Sequence, residues 1–157
     1  MKTLDYSKLN AQSALQTLNG LQQLLADFQV FYSNLRGFHW NVKGKDFFVM
    51  HAQFESLYNN AAEKIDEIAE RILMLDGVPA HKFSDYLKSS QVKESAYSTS
   101  GEEGIKHIME TYSHFLQSER NILSAASEAG DEATVAMMSD YIREQEKMLW
   151  MLTAYRS

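Results

Sequence analysis

The chain contains no cysteine among its 157 residues. That absence excludes disulfides, thiolate nucleophiles, iron–sulfur clusters and cysteine-type zinc sites, so any metal must be held by nitrogen and oxygen ligands. Proline occurs once, at Pro79, and glycine occurs seven times. Because many short strands need such residues in their turns, their scarcity favours a helical protein.

Long uncharged apolar runs are also missing, both at the start of the chain and within it. We therefore expect a soluble, cytoplasmic protein with no membrane partner. Acidic residues outnumber basic ones by 21 to 15, and the formal charge of −6 disfavours a broad nucleic-acid surface. The length and the 45% hydrophobic content predict one domain over residues 1–157, with a short N-terminal tail at 1–6.

Apolar residues recur at helical steps of three and four in four long segments. The first predicted helix runs from about Ser7 to about His39 or slightly beyond. The second begins after Gly44, with Asp46 as its N-terminal cap, and ends at the stop signal in 76–79.

The segment from about 78 to 100 is predicted to be a long crossover that contains one short helix. The apolar residues of that short helix are Phe83, Tyr86 and Leu87. Ser100 and Glu103 match a capping box at the start of the third helix. Gly130 ends that helix and Asp131 can cap the fourth. This order of elements predicts an all-α, ferritin-like four-helix bundle.

The second helix carries a polar stripe away from its apolar seam. At about 100° per residue, the stripe spans about 0° to 100° around the axis, whereas the seam from Phe54 to Ile72 spans about 240° to 320°. The stripe consists of His51, Glu55, Asp66 and Glu70. A plain solvated face is the better interpretation for Glu63 and Glu67. The stripe also includes small or apolar residues that suit contact with another helix, namely Ala62, Ala69 and Leu73.

His51 and Asp66 lie about 22 Å apart along a straight helix, so one ion cannot bind both in one chain. Two copies packed antiparallel about a two-fold axis near Asn60 and Ala61 would bring opposite ends of the stripe together. A single histidine on an apolar stripe, such as His39, is more often a core residue than a metal ligand. His39 lies near the end of the first helix, however, so its side chain can converge with that of His51. Two imidazoles and three carboxylates suit iron, manganese or zinc.

Three short strings resemble the Dps proteins, or mini-ferritins, in order and spacing. The strings are HWNVKG at 39–44, HAQFE at 51–55 and DEIAER at 66–71, and the resemblance spans essentially the whole chain. It implies a ferroxidase centre between subunits, in which one subunit supplies three ligands and its two-fold mate supplies two. Those ligands would be His39, His51 and Glu55 from one subunit, and Asp66 and Glu70 from the other.

The same resemblance implies a hollow shell of twelve subunits that oxidises ferrous iron, preferentially with hydrogen peroxide, and stores the ferric mineral. The cell, and DNA indirectly, would be protected from oxidative damage. The position of Glu55 is usually aspartate in the family. Trp40 is similar to a family tryptophan thought to scavenge radical equivalents, although packing at an interface explains it equally well. Acidic residues near the start of the last helix line the family's iron pores, as Asp131 and Glu132 could here, but capping also explains Asp131.

Other interpretations stay open beside this one. A classical ferritin or bacterioferritin needs Glu-x-x-His motifs, and the sequence contains none: the residues three positions before the five histidines are Arg36, Phe48, Val78, Gly104 and Thr111.

A second polar stripe, on the third helix, is interpreted mainly as a solvated face, with chance metal binding as the alternative. Its members are Glu103, His107, Glu110 and His114.

A DNA-compacting protein would need a basic tail, but the first ten residues contain only Lys2 and Lys8 as basic residues. Direct DNA binding is therefore not expected. A purely structural helical oligomer is the remaining alternative, and it predicts no peroxide-dependent iron oxidation.

Overall fold

The computed structural model describes residues 2–157, which form six α-helices and no β-strand. The helices are α1 (Thr3–Ser7), α2 (Ala11–Asn41), α3 (Phe47–Met74), α4 (Phe83–Ser89), α5 (Gly101–Glu128) and α6 (Glu132–Arg156). The four long helices form the bundle, and α4 lies in the crossover between α3 and α5. The predicted all-α bundle with one short helix in the crossover is confirmed.

The bundle core lies between the apolar seams of the long helices. α2 packs against α3 and α5, and α5 packs against α6. The rings of Phe28 and Phe115 stack with 4.2 Å between centroids, and Phe31 meets Tyr112 edge to face. The seam predicted for α3 is buried almost throughout, with only Ile65 partly exposed. The polar stripe of α3 is therefore left on the outside of the bundle.

The first long helix begins at Ala11, so the predicted start at Ser7 is wrong by four residues. The backbone of Lys8 adopts a left-handed conformation, with a φ of 64°, which ends α1. Asn10 then caps α2, because its side-chain oxygen accepts a hydrogen bond from the Ser13 N–H at 3.0 Å.

Most of the predicted N-terminal tail is helical, although Met1 lies outside the described residues. The carboxylate of Asp76 accepts hydrogen bonds from the N–H groups of Thr3 and Leu4, at 2.8 and 3.0 Å. These bonds satisfy amides at the start of α1, and the Leu4 side chain is buried against the core. The segment is thus anchored to the far end of α3.

The other predicted helix boundaries agree with the structure, but two helices are capped differently from the prediction. Asp46 occupies the cap position of α3, but its side chain makes no capping hydrogen bond. Ser100 accepts a hydrogen bond from the Glu103 N–H at 3.2 Å. The Glu103 carboxylate, however, accepts from the hydroxyl of Ser98 rather than completing a capping box.

The crossover helix α4 is attached by one aromatic residue. Tyr86 is buried, and its hydroxyl donates to the carbonyl of Ala80 at 2.7 Å. Phe83 and Leu87, the other two apolar residues predicted to pack this helix, remain exposed. Among residues 2–157, no helix combines the length and the apolar character needed to cross a membrane.

Candidate metal centre

The two histidines predicted as ligands meet where α2 ends and α3 begins. His39 Nδ1 lies 2.8 Å from the backbone carbonyl oxygen of His51, and His51 Nδ1 lies 2.8 Å from the carbonyl oxygen of His39. The two imidazole rings are stacked, with centroids 3.7 Å apart and planes 19° apart. The side chains therefore fix each other's position across the turn.

These reciprocal contacts determine which ring nitrogen carries the proton. A carbonyl oxygen can only accept a hydrogen bond, so each Nδ1 must be the N–H donor. In a neutral imidazole the lone pair then lies on Nε2, which is left free of this contact. An outer hydrogen bond of this kind is what orients histidines that bind metals in proteins. Both residues thus have a tautomer that suits metal binding through Nε2.

Aromatic neighbours close both sides of the histidine stack. The ring of Phe47 stacks on His51 with 4.9 Å between centroids. The ring of Tyr58 meets His39 edge to face at 5.3 Å. His39 is almost fully buried and His51 is half-buried, so the histidine pair is partly shielded from solvent.

Glu55 lies one helical turn after His51 and is exposed. The Tyr58 hydroxyl donates a hydrogen bond of 3.4 Å to Glu55 Oε1. Partial burial, followed by the nearby Glu55 carboxylate, raises the pKa of Tyr58 above its ordinary value. Glu55 and His51 therefore lie one helical turn apart at the same end of the α3 stripe, and His39 reaches His51 from the end of α2.

Asp66 and Glu70 lie on the same stripe but further along α3, and both are exposed. Within residues 2–157, no three histidine or acidic side chains are grouped closely enough to hold a metal ion. The structure of one chain therefore brings together His39 and His51. The three carboxylates of the predicted set, Glu55, Asp66 and Glu70, do not complete a metal-binding group with them.

The surface around this stripe is partly apolar. Leu73 is 53% exposed, Ala62 is exposed and Ala69 is half-buried. Glu63, expected on a solvated face, is exposed. Glu67 is exposed as well, but it also accepts a 2.6 Å hydrogen bond from the Tyr141 hydroxyl on α6.

Trp40 follows His39 in sequence and stacks against Arg36 at the surface. The side chain is 64% exposed, and the guanidinium of Arg36 lies over the ring at 4.8 Å from its centroid. The same guanidinium lies 5.0 Å from the ring centroid of Tyr32. A cation between two aromatic faces explains the position of Arg36.

The two acidic residues proposed to line a pore have different environments. Asp131 is 2% exposed, and its carboxylate binds Arg71 Nη2 at 2.6 Å and accepts from the Thr134 N–H at 3.0 Å. Burial alone would raise its pKa, but the Thr134 donors and the Arg71 guanidinium outweigh burial and lower it. This geometry favours the capping role of Asp131 over a pore-lining role. Glu132 is exposed.

The stripe predicted on the third helix is not a simple solvated face. His114 Nε2 lies 2.9 Å from Oδ2 of Asp27, a carboxylate with no exposed surface. His107 packs edge to face against Phe38, and burial lowers its pKa while Glu110 opposes the shift. The interpretation of the two histidines as solvated is therefore wrong.

Asp27 is an important polar residue that the sequence reasoning missed. Its Oδ1 accepts hydrogen bonds from the Ser90 hydroxyl at 3.0 Å and from the Gln91 N–H at 2.7 Å. It thereby attaches the end of the crossover to α2. An acid inside the apolar run from Leu24 to Val30 was the available signal.

A second missed group lies in the middle of the bundle. Glu119 has no exposed surface, and its Oε1 accepts a 2.6 Å hydrogen bond from Gln145 Nε2. Burial is the main cause that raises the pKa of Glu119 to about 8. Lys64, itself buried, binds Glu144 at 2.6 Å and contributes a smaller opposing effect on Glu119.

Comparison with known proteins agrees with this architecture. Residues 18–157 match the family described as Ferritin, a ferritin-like domain. The chain is 47% identical over 154 residues to the DNA protection during starvation protein of Porphyromonas gingivalis. This match covers 98% of this chain and 97% of that protein. It is 38% identical over 140 residues to DNA protection during starvation protein 2 of Bacillus anthracis, covering 89% of this chain and 96% of that protein.

Solved structures lead to the same family. A Dps protein from Vibrio cholerae O1, described as a member of a broad superfamily of ferritin-like diiron-carboxylate proteins, superposes with a TM-score of 0.93. The two chains are 49% identical, and the match covers 95% of this chain and 94% of the other. The chain therefore belongs to the Dps family of ferritin-like proteins.

Proposed function

We propose that this protein is a ferroxidase that stores iron, and that its reaction site forms between two subunits. The observation that carries the proposal is the pair of reciprocal bonds that leaves Nε2 of His39 and of His51 free. Two such imidazoles, with the exposed Glu55 carboxylate one helical turn beyond His51, would supply half of a nitrogen and oxygen site. The other half, Asp66 and Glu70, has to come from a second chain.

A two-fold axis near Asn60 supplies that second half. Antiparallel packing of two α3 helices places the histidine end of one stripe against the carboxylate end of the other. The exposed Leu73 would then be covered, because it lies on the same face. Each pair of subunits would own two equivalent sites, and pairs would assemble into a hollow homo-oligomer, which the family resemblance makes a dodecamer.

Ferrous iron is the substrate of the proposed reaction. Two ferrous ions give one electron each to hydrogen peroxide, which takes up two protons and becomes two water molecules. The chain's contribution is to hold the ions on five side chains, to leave positions open for the oxidant, and to attract cations by its negative charge. Zinc or manganese could occupy the same donors.

The fate of the product follows from the hollow assembly. Ferric iron would move into the cavity as mineral, and the exposed Glu132 is the better candidate of the two acidic residues for a path that admits iron. Removal of ferrous iron and peroxide together would protect the cell, and DNA indirectly. The net charge of −6 favours this indirect protection over direct DNA binding.

The test is anaerobic addition of ferrous iron followed by peroxide, with ferric absorbance recorded over time. His39→Ala and Asp66→Ala should each slow oxidation at least about tenfold, since the loss of even an outer partner of a metal site costs about 10- to 100-fold. Glu63→Ala, an exposed residue on the same helix, is the matched control and should behave as wild type.

Two results would contradict the proposal in different ways. Wild-type protein that does not accelerate oxidation over iron and peroxide alone would remove the ferroxidase function. Variants at His39 and Asp66 that oxidise iron at the wild-type rate would leave the function standing and show that the site is elsewhere.

A further inference from the structure

Two buried oxygen atoms in the middle of the bundle have no hydrogen-bond donor among the described residues. They are Oε2 of Glu119 on α5 and Oε1 of Gln145 on α6. The same two groups are already joined, because Gln145 Nε2 donates to Glu119 Oε1 at 2.6 Å. An ionised carboxylate and an amide oxygen can only accept hydrogen bonds. The ionised pair therefore leaves two buried acceptors unsatisfied, which is unfavourable.

A single proton on Glu119 removes this defect. A protonated carboxyl group has one O–H donor and keeps an acceptor oxygen. With the proton on Oε2, the O–H can donate to Gln145 Oε1, while Glu119 Oε1 continues to accept from Gln145 Nε2. The two groups then form a cyclic acid–amide pair with two hydrogen bonds. Burial favours the same form, because it raises the pKa of Glu119 to about 8.

Titratable groups from three helices act on Glu119. The set contains two cations, one acid and two tyrosines, namely Lys64 of α3, Arg120 and Tyr112 of α5, and Glu144 and Tyr141 of α6. The single acid of α2, Asp27, is bonded to His114 and to the crossover instead. Of the two cations, Lys64 is the buried one, with a side chain 7% exposed against 50% for Arg120. Because solvent screens a buried charge less, Lys64 is the cation that an ionised Glu119 would attract more strongly.

Lys64 binds another acid while Glu119 is neutral. Its Nζ atom lies 2.6 Å from Glu144 Oε2 and 3.1 Å from Asn60 Oδ1, and Asn60 Nδ2 donates to Glu144 Oε1 at 2.5 Å. These contacts link α3 to α6. The Glu144 side chain is 48% exposed, so water can solvate its carboxylate once Lys64 leaves. Glu119 has no exposed surface, so its ionised form needs a counter-charge more than Glu144 does.

We infer that Glu119 and Gln145 share one proton as an acid–amide pair, and that loss of this proton transfers Lys64 from Glu144 to Glu119. The proton leaves Glu119 Oε2 for solvent, and no further reactant takes part. Lys64 links α3 to α6 in the protonated state and α3 to α5 in the ionised state. The pair is thus a pH-sensitive switch inside the bundle, and its ionised state uncovers the Glu144 carboxylate at the surface.

Infrared spectroscopy of the whole protein tests the shared proton. Ordinary carboxyl groups are ionised at about pH 6, so a band from a protonated carboxyl at that pH must come from an acid with a raised pKa. Wild type should show this band and should lose it as pH rises to about 9. Glu119→Gln should lack the band at every pH.

Two infrared results would overturn the inference. One is the absence of the band from wild type at about pH 6, which is also the result expected if a water molecule donates to both oxygens and leaves Glu119 ionised. The other is survival of the band in Glu119→Gln, because the proton would then belong to a different acid.

Double-mutant cycles at about pH 6 and about pH 9 test the change of partner. Lys64→Met and Glu144→Gln, alone and combined, give the coupling between these two side chains from urea unfolding. This coupling should be present at the lower pH and lost at the higher pH. The cycle of Lys64→Met with Glu119→Gln should show the reverse, since glutamine resembles the neutral acid but cannot ionise.

Arg120 and Glu146 supply the matched control, because they form a 2.6 Å ion pair in which both side chains are about half exposed. The cycle of Arg120→Met with Glu146→Gln should give the same coupling at both pH values. A coupling between Lys64 and Glu144 that is also the same at both pH values would overturn the inference, even if the infrared band titrates. None of these measurements involves iron, so their outcome is separate from that of the ferroxidase test.

Discussion

Replacement of Glu119 by glutamine should stabilise the protein and remove part of its pH dependence. Glu119 Oε2 and Gln145 Oε1 have no hydrogen-bond partner among the described residues, although both atoms are buried. Glu119→Gln keeps the acceptor for Gln145 Nε2 and adds an N–H donor that can bond to Gln145 Oε1. The variant therefore satisfies two buried atoms and removes a buried group that can ionise.

The magnitude follows from the pKa of Glu119, which burial raises from its ordinary value of 4.5 to about 8. Between these values the folded chain binds more protons than the unfolded chain, so the free energy of unfolding falls as pH rises. The stabilisation is complete below the unfolded value and is lost as pH rises through the folded one. A tenfold change in proton affinity corresponds to ~1.4 kcal/mol, so this group alone should lower stability by about 3 kcal/mol between about pH 5 and pH 8.

Urea unfolding followed by circular dichroism measures the effect, at one protein concentration because assembly contributes to stability. The difference in unfolding free energy between Glu119→Gln and wild type should grow by about 3 kcal/mol from about pH 5 to pH 8. Glu128→Gln, an exposed acid on the same helix, is the control and should show no such growth. A difference that is the same at both pH values, or a variant less stable than wild type at the higher pH, would refute the reasoning.

Two further predictions concern buried carboxylates. Arg71→Ala leaves the 2%-exposed Asp131 unpaired and should lower the unfolding free energy by about 3–5 kcal/mol near neutral pH. Because the pKa of Asp131 is lowered in the folded state, this loss of stability should shrink as pH falls through that lowered pKa. Urea unfolding of wild type and variant at several pH values measures the loss. A loss that does not change with pH would contradict the prediction. Asp27→Asn replaces a charged acceptor of the Gln91 amide by a neutral one, which weakens the bond by about 1–1.5 kcal/mol and should speed exchange of that amide roughly 5- to 10-fold. Hydrogen-exchange mass spectrometry measures this, and unchanged exchange would show that Asp27 does not hold the crossover.

The four long helices could be predicted because each buries one periodic apolar face, which is a local property of the sequence. α1 could not, because its five residues depend on Asp76, more than seventy positions later. The same limit explains the error over His107 and His114. Periodicity places a side chain at an angle on its own helix, but the buried Asp27 that receives His114 belongs to another helix.

The candidate site was predictable in composition and not in detail. The angle of the stripe placed His51 and Glu55 outside the core seam, and the structure agrees. The reciprocal bonds that select the tautomers of His39 and His51 depend on how the turn closes, which no spacing rule describes. Asp131 shows both cases. Its cap of α6 was predictable from the sequence, because the Thr134 N–H lies three residues later, whereas its ion pair with Arg71 appears only once α3 packs against the start of α6.

Complementation between two inactive variants tests the shared site most directly. One subunit would carry His39→Ala with His51→Ala, and the other Asp66→Ala with Glu70→Ala. In a mixed pair, one of the two sites receives both intact histidines and both intact carboxylates, whereas the other receives neither.

Co-expression of the two variants in equal amounts should give half of the pairs as mixed, each with one intact site, and therefore about one quarter of the wild-type rate of ferrous oxidation. Each variant alone should be inactive, which is the control for the mixture. A mixture no more active than its parents would contradict a site built from two chains.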